Sequence, residues 1–93
     1  MLNQIDDQKV DRLAELLNVL ADPTRMRIIL GLTKPSSMSA LQRQLQIGQA
    51  ALAHHLSQMQ ANGLLNTEQR DGELYYLLTD SSLNKSVKLL LTK

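Results

Sequence analysis

The stretch from Ile47 to Gly63 contains the side chains that are best suited to binding or catalysis. They are two adjacent histidines among several glutamines. Its apolar residues Leu52, Leu56 and Met59 recur three and four positions apart, so they form one stripe of a helix, which also includes His55. The remaining surface is small or polar and consists of Gln49, Ala50, Ala53, His54, Ser57 and Gln60. Because this surface carries no carboxylate, it can approach a polyanion without repulsion.

Catalysis and metal binding are poorly supported by the same residues. A hydroxyl of Ser39 or Ser57 with His54 and an aspartate would supply the groups of a triad, but no nucleophile elbow or glycine-rich phosphate loop accompanies them. His54 and His55 are adjacent, so they point apart on a helix and cannot present two metal ligands on one face. The chain also has no cysteine. We therefore expect a protein that is not an enzyme and has no metal or other cofactor.

Two short helices are predicted to position the residues of this stretch. The first runs from Ala40 to Gln46, and Ser39-Ala40-Leu41-Gln42 has the form of a capping box at its start. After a break at Gly48, the second helix continues to Gly63, a residue type favoured at left-handed helix ends. Two short helices joined by a tight turn that contains glycine indicate a helix-turn-helix.

A β-hairpin is predicted directly after the second helix. Strands at Leu65–Arg70 and Glu73–Leu78 flank Asp71-Gly72, a pair suited to a two-residue type I′ turn. This turn sets a register in which Thr67 lies opposite Tyr76. A hairpin in this position is the wing of a winged helix.

The remaining helices complete the predicted fold class, which is mainly α with a small β-hairpin. It is a winged helix-turn-helix of about five helices plus a two-stranded wing, in one domain over residues 1–93. The three further helices are predicted at about Lys9–Leu20, Pro23–Leu32 and residues 82–92. Asp22 is expected to cap the second of these, with Arg25 and Arg27 available to solvent or phosphate. The predicted inward residues are Met26, Ile29 and Leu30 on that helix, and Leu83, Val87 and Leu90 on the last. Further leucines and valines broaden the apolar surface of the first and last helices, which predicts a contact beyond the core of one chain.

Charge is unevenly distributed along the 93 residues, although the net charge is only +1. Residues 1–23 have a net charge of −3, whereas residues 24–70 have five Lys and Arg against Glu68 alone. The positive excess therefore coincides with the helix-turn-helix, as a phosphate-contacting surface requires. The lack of cysteine and of a visible signal sequence fits a cytoplasmic protein.

Three segments resemble the ArsR/SmtB type of winged helix-turn-helix transcriptional regulator. They are LADPTRMRII (Leu20–Ile29), LAHHL (Leu52–Leu56) followed by NGLL (Asn62–Leu65), and RDG followed by YYLLTD (Arg70–Asp80). The matches span about Leu13 to Asp80, in the order and at the spacing of the family. Gly48 is a departure, because the family usually has serine or threonine there.

The resemblance implies a homodimeric repressor that binds a palindromic operator in double-stranded DNA, with helices 9–20 and 82–92 forming the dimer interface. By position, it implies DNA contacts from Ser39, Gln49, Ala50, Ala53, His54, Gln58 and Arg70. Gln49 is the candidate for a base-edge hydrogen bond, and Arg70 for the minor groove. His54 is expected to point outward, and His55 to be a packed or bridging core residue.

The effector and one alternative function stay open at this point. Without cysteine, an effector that binds as a thiolate-bound metal is not expected, and the sequence identifies no small-molecule effector. The alternative is a winged helix used for protein contact, in which the alanine-rich helix is a docking patch and no DNA is bound.

Overall fold

Five helices and a three-stranded antiparallel sheet make up residues 6–92, the part of the chain that this computed structural model describes. In order they are α1 (Asp7–Leu20), α2 (Pro23–Gly31), β1 (Ser36–Ser37), α3 (Met38–Leu45), α4 (Gln49–Ala61), β2 (Leu65–Arg70), β3 (Glu73–Leu78) and α5 (Ser82–Leu91). The mainly α fold with a β-hairpin is confirmed. The ends of the predicted domain, residues 1–5 and 93, lie outside the described residues.

Aspartate side chains start the first two helices by accepting backbone N–H groups that the first turn leaves free. Asp22 Oδ1 accepts from the N–H groups of Thr24 at 2.7 Å and Arg25 at 3.1 Å, which confirms the predicted cap. The bond from the Arg25 N–H lowers the pKa of Asp22, because it stabilises the charged carboxylate. Asp6 caps in the same way, so α1 begins at Asp7, before the predicted start.

The helix α3 also starts earlier than predicted. Ser37, in extended conformation, caps it by accepting the N–H of Ala40 at 3.2 Å, and the helix begins at Met38. The predicted capping box at Ser39-Ala40-Leu41-Gln42 is therefore wrong. Two neighbouring serines both satisfy the sequence preference for a cap, and the pairing of Ser37 in a strand decides between them.

The wing, defined as Leu65–Leu78, has the predicted register throughout, including Thr67 opposite Tyr76. Asp71 and Gly72 both have positive φ, 51° and 79°, which confirms the type I′ turn. The sheet has one strand more than the predicted pair, because β1 lies beside β3 in the order β1-β3-β2. A strand of two residues is too short to show an alternating pattern in the sequence.

The core is centred on α2, which packs against α1, α3, α4 and α5. Since neighbours surround it, the adjacent Ile28 and Ile29 are both fully buried, whereas Met26 and Leu30 are half-buried. The prediction placed Met26 and Leu30 inward and missed Ile28. The core residues are Ile28, Ile29, Leu32, Leu41, Leu52, Leu56, Met59, Leu64, Leu65, Leu78 and Val87.

A buried amide joins α5 to α2. Asn84 donates hydrogen bonds from Nδ2 to the carbonyl oxygens of Ile29 at 2.8 Å and Leu30 at 3.0 Å, near the end of α2. At the start of α5, the hydroxyl and the N–H of Ser82 donate to Asp80 and lower the pKa of its carboxyl group. The inward face of α5 therefore includes a polar residue that its apolar periodicity did not reveal.

The two terminal helices keep part of their apolar surface outside the core. On α1, the inward residues are Leu16, Val19 and Leu20. Large apolar side chains are exposed at Val10, Leu13 and Leu17 on α1 and at Leu89, Leu90 and Leu91 on α5. Leu90, predicted to face inward, is 72% exposed, so that prediction is wrong. Within residues 6–92, the helices are too short or too polar to cross a membrane.

Candidate nucleic-acid interface

The turn between α3 and α4 uses backbone conformations that few residue types adopt readily. Gln46 ends α3 with a left-handed φ of 54°, and Gly48 then begins α4 without a side-chain cap. At the other end, Gly63 has φ of 75°, and the N–H of Leu64 donates to the carbonyl of Met59 at 2.9 Å. These are the features of a Schellman motif, in which glycine relieves the steric cost of the left-handed residue. The predicted helix-turn-helix and its glycine stop are both confirmed.

The helix α4 is apolar on its inner face and free of carboxylates on all sides. Leu52, Leu56 and Met59 are fully buried and fix the rotation of the helix. The outer face of α4, as we use the term, consists of Gln49, Ala50, Ala53, His54 and Gln58. Ala53 is half-buried and the others are exposed. The predicted contact residues of α4 thus share one accessible surface.

The two histidines have different environments, as the sequence predicted. His54 is exposed, whereas His55 is half-buried and accepts a hydrogen bond at Nδ1 from Nε of Arg25 at 3.1 Å. Because an arginine Nε–H is always a donor, His55 Nδ1 is the acceptor in this contact. Arg25 also donates to the carbonyl of Val19 at 3.4 Å. The prediction that Arg25 is available to solvent or phosphate is therefore wrong, and this arginine instead links α2 to α4.

Ser39 lies where two clefts meet. Its side chain is exposed in the first turn of α3, with its hydroxyl 3.2 Å from that of Ser37. One cleft, of about 460 Å³, places Ser39 beside Gln49 and the β3 residues Glu73 and Leu74. Ser39, Gln49 and the wing are therefore brought together, whereas His54 and Gln58 lie on the outer face away from this cleft.

The second cleft, of about 600 Å³, joins Ser39 to the wing residue Arg70 and adds two cations that the site prediction did not include. These are Lys34, in the connection before β1, and Arg43, on the exposed side of α3. Both residues were included in the count of positive charge from the sequence, but the sequence did not place them at the site. The pairing of β1 with β3 is what brings Lys34 close to the wing. Glu73 also lines this cleft, so it is basic overall but not uniformly so.

Arg70 lies folded back against the wing. Its Nε and Nη2 both contact the Oε1 atom of Glu68, two residues earlier on the same strand. Its guanidinium carbon is 5.5 Å from the centre of the Tyr75 ring, within the range of a cation–π contact. The side chain predicted to enter the minor groove is therefore held by a carboxylate and a ring of its own hairpin.

In the part of the chain that the structure describes, acidic and imidazole side chains do not cluster in a way that would hold a metal ion. Across residues 6–92 there is no cluster of three or more His, Asp or Glu side chains with suitable spacing. The sequence itself contains no cysteine.

Comparison with known families identifies the central part of the chain. The family model for a helix-turn-helix domain matches residues 20–68, which include α2, β1, α3 and α4 and the first four residues of β2. An ArsR-like transcriptional regulator from Rhodococcus sp. RHA1 has 30% sequence identity to this chain and a TM-score of 0.73. That match covers 91% of this chain and 81% of the regulator.

Two further relatives are named as a repressor and as a transcriptional activator. The biofilm growth-associated repressor of Xylella fastidiosa is 26% identical over 87 residues, which cover 92% of this chain and 76% of the repressor. The transcriptional activator HlyU of Vibrio cholerae is 29% identical over 76 residues, covering 81% of this chain and 70% of HlyU. The solved structure of HlyU superposes with a TM-score of 0.82, over 94% of this chain and 96% of that one.

Proposed function

The chain belongs to the helix-turn-helix domain family and, within it, to the ArsR/SmtB-type winged-helix transcriptional regulators, and from this premise we propose that it is a homodimeric repressor. In this proposal the dimer binds a palindromic operator in double-stranded DNA and represses by blocking access to the promoter. In this proposal it acts in the cytoplasm. Since the sequence has no cysteine, any effector acts without a thiolate-bound metal.

The observation that carries the proposal is the exposed, carboxylate-free outer face of α4. The sequence has no Asp or Glu from Pro23 to Thr67, so α2 and α3 also lack carboxylates, and the acidic residue that shares a cleft with Gln49 is Glu73 of the wing. A duplex carries a phosphate charge about every 1.7 Å along its axis, and a nearby carboxylate would oppose binding. Gln49 has an amide that can pair with adenine, while Ala50 and Ala53 can contact thymine methyl groups.

Phosphate contacts are assigned to the residues around the two clefts. Ser39 lies in the first turn of α3, where free N–H groups favour an anion. Lys34 and Arg43 line the second cleft together with Ser39 and Arg70, and we add them to the predicted contacts. His54 and Gln58 contribute polar groups farther along α4, and Arg70 reaches the minor groove.

The proposed dimer uses the exposed apolar surface of α1 and α5. Leu17 of α1 and Leu90 and Leu91 of α5 line one apolar cavity of about 250 Å³, so the two helices form a continuous surface. Leu13 of α1 and Leu89 of α5, which do not line this cavity, are 56% and 68% exposed. A second copy of the chain presents the same surface, and a two-fold interface of this kind matches the symmetry of a palindromic operator.

Fluorescence anisotropy with purified protein tests the proposal. The DNA upstream of the protein's own gene is compared with a random duplex across a salt series. We expect preference for the upstream DNA, and an affinity that falls steeply with salt. Replacing Gln49 and Arg70 by alanine together should weaken binding by at least tenfold, since a lost base contact costs about 1–3 kcal/mol.

A matched control carries Gln8→Ala and Lys85→Ala, which remove the same number of amides and cations from exposed positions on α1 and α5. This control should bind as the wild type does, and sedimentation equilibrium should show that it keeps the oligomeric state of the wild type, because α1 and α5 also form the proposed dimer interface. If no duplex binds even at low salt while the protein stays folded, the operator proposal is wrong, and the outer face of α4 becomes a candidate surface for docking another protein.

A further inference from the structure

The wing holds a cation and a carboxylate in direct contact at the place where the wing would meet DNA. Arg70 and Glu68 alternate with Gln69 on β2, so their side chains are on the same face of the hairpin. Both are partly exposed, with 50% of the Arg70 side chain and 37% of the Glu68 side chain accessible. Tyr75 lies opposite Glu68 in the register, and its ring contacts the guanidinium group of Arg70.

Arg70 therefore has to change partner before it can contact DNA. A carboxylate and a phosphate are similar acceptors for a guanidinium, so transfer from Glu68 to an ordinary phosphate brings little net gain. A narrow minor groove differs, because A-tracts have an enhanced negative potential that attracts inserted arginines. Transfer into such a groove is favourable even after the contact with Glu68 is lost.

We propose that Glu68 competes with DNA for Arg70, so that this arginine leaves the wing only where the minor groove is narrow. The inference rests on the proposed function and adds to it the kind of DNA that the wing recognises. Glu68 lowers the affinity for DNA in general. It also means that Arg70 contacts DNA only where an A-tract flanks the bases that α4 contacts.

The wing contains a matched carboxylate for comparison. Glu73 lies directly opposite Arg70 in the register and lines the same cleft, yet the ion pairs found among residues 6–92 do not include it. Glu68→Gln and Glu73→Gln remove the same charge from the same hairpin. Only Glu68→Gln releases Arg70, so a difference between the two variants separates competition from general repulsion.

The experiment measures what Arg70 contributes to binding on two duplexes. Both contain the bound upstream sequence, and they differ only in flanks that are either A-tracts or G·C pairs. In the wild-type background, Arg70→Gln should weaken binding to the A-tract duplex about two- to fivefold more than binding to the G·C duplex, which loses only the neutralisation of Glu68 by Arg70. In the Glu68→Gln background, Arg70→Gln should weaken binding to both duplexes by about that factor.

The remaining arms decide the outcome. In the Glu73→Gln background, Arg70→Gln should again weaken binding to the A-tract duplex more than binding to the G·C duplex, as in the wild type. If Arg70→Gln weakens binding to both duplexes equally in the wild-type background, or has no effect on either duplex, the competition is refuted. Failure of the wild type to bind either duplex contradicts the proposed function itself. Circular dichroism and melting curves of each variant check that the hairpin variants are folded.

Discussion

At the scale of single residues, Asn84 is the buried polar group on which α5 depends for its attachment to α2. Replacing it by alanine removes both hydrogen bonds to the carbonyl groups of Ile29 and Leu30. The carbonyl of Ile29 keeps a bond from the N–H of Leu32, while that of Leu30 is left without this partner. We expect Asn84→Ala to lower the free energy of unfolding by about 1–3 kcal/mol, measured by urea denaturation.

The control for this prediction is Asn66→Ala, at an exposed position on β2. It should change the free energy of unfolding by less than about 0.5 kcal/mol. Both variants are compared at one protein concentration, because self-association would shift the apparent stability. Equal effects of the two substitutions would mean that the bonds from Asn84 contribute nothing measurable.

The same residue scale shows where sequence reasoning succeeds. The outward His54 and the bridging His55 followed from the helical stripe, because neighbouring residues on a helix face different directions. The partner of His55 was not predictable, since Arg25 lies 30 positions away along the chain. Asn84 was missed for a similar reason: its burial depends on the end of α2, not on the residues around it in α5.

At the scale of secondary-structure elements, the charged cap of α2 predicts an acid-sensitive contribution to stability. The pKa of Asp22 lies below the ordinary aspartate value because of the backbone N–H of Arg25, and that ordinary value is about 3.9. Its ionised form therefore contributes stability that is complete above about pH 4 and is lost as the pH falls through the lowered pKa. We expect Asp22→Asn, which keeps an acceptor oxygen, to remove this part of the acid transition.

The test measures the urea concentration at the midpoint of unfolding between pH 2 and pH 7. The control is Asp11→Asn, which removes one carboxylate from an exposed position on α1. Relative to the wild type, Asp22→Asn should gain stability as the pH is lowered below about 4. An unchanged difference between wild type and variant over the whole range would show that the charge of Asp22 does not stabilise the cap.

Elements determined by local chemistry were the most predictable. The wing followed from one dipeptide, because a two-residue turn with positive φ at both positions sets the register of the strands around it. The cap of α2 followed from Asp22-Pro23. In contrast, β1 and the start of α3 depend on β3, which lies almost 40 residues later, so the sequence near Ser37 does not contain the deciding interaction.

At the scale of the whole molecule, the chain is more extended than a compact domain of its length. The Cα radius of gyration is 14.6 Å and the longest dimension is 49 Å, whereas about 12 Å is expected for the radius of a compact domain. The terminal helices α1 and α5 leave large apolar side chains exposed. An extended shape with an exposed apolar surface supports the proposal that the chain is one protomer of a dimer. The apolar residues of the terminal helices that lie outside the core were already visible in the sequence.

The same surface predicts how the proposed dimer can be separated. Leu13→Glu together with Leu90→Glu places two carboxylates on each copy of a surface that is 56% and 72% exposed at these positions in one chain. The folded monomer tolerates both substitutions, because neither side chain belongs to the core. Buried in a dimer, however, four unpaired charges would each be costly. We expect the variant to be a folded monomer by sedimentation equilibrium, while Leu74→Glu, an exposed leucine on the wing, remains dimeric.

Separating the dimer should also change DNA binding in a way that distinguishes assembly from recognition. With both half-sites present, linking two recognition helices raises the affinity by about 10²–10⁴ through effective concentration. The monomeric variant should lose this gain on a full palindrome and keep the wild-type affinity for an isolated half-site, because its outer face of α4 is intact. If the variant stays dimeric, the interface lies elsewhere on the chain. If it is monomeric and binds the full palindrome as tightly as the wild type does, each α4 acts independently and the operator need not be two-fold.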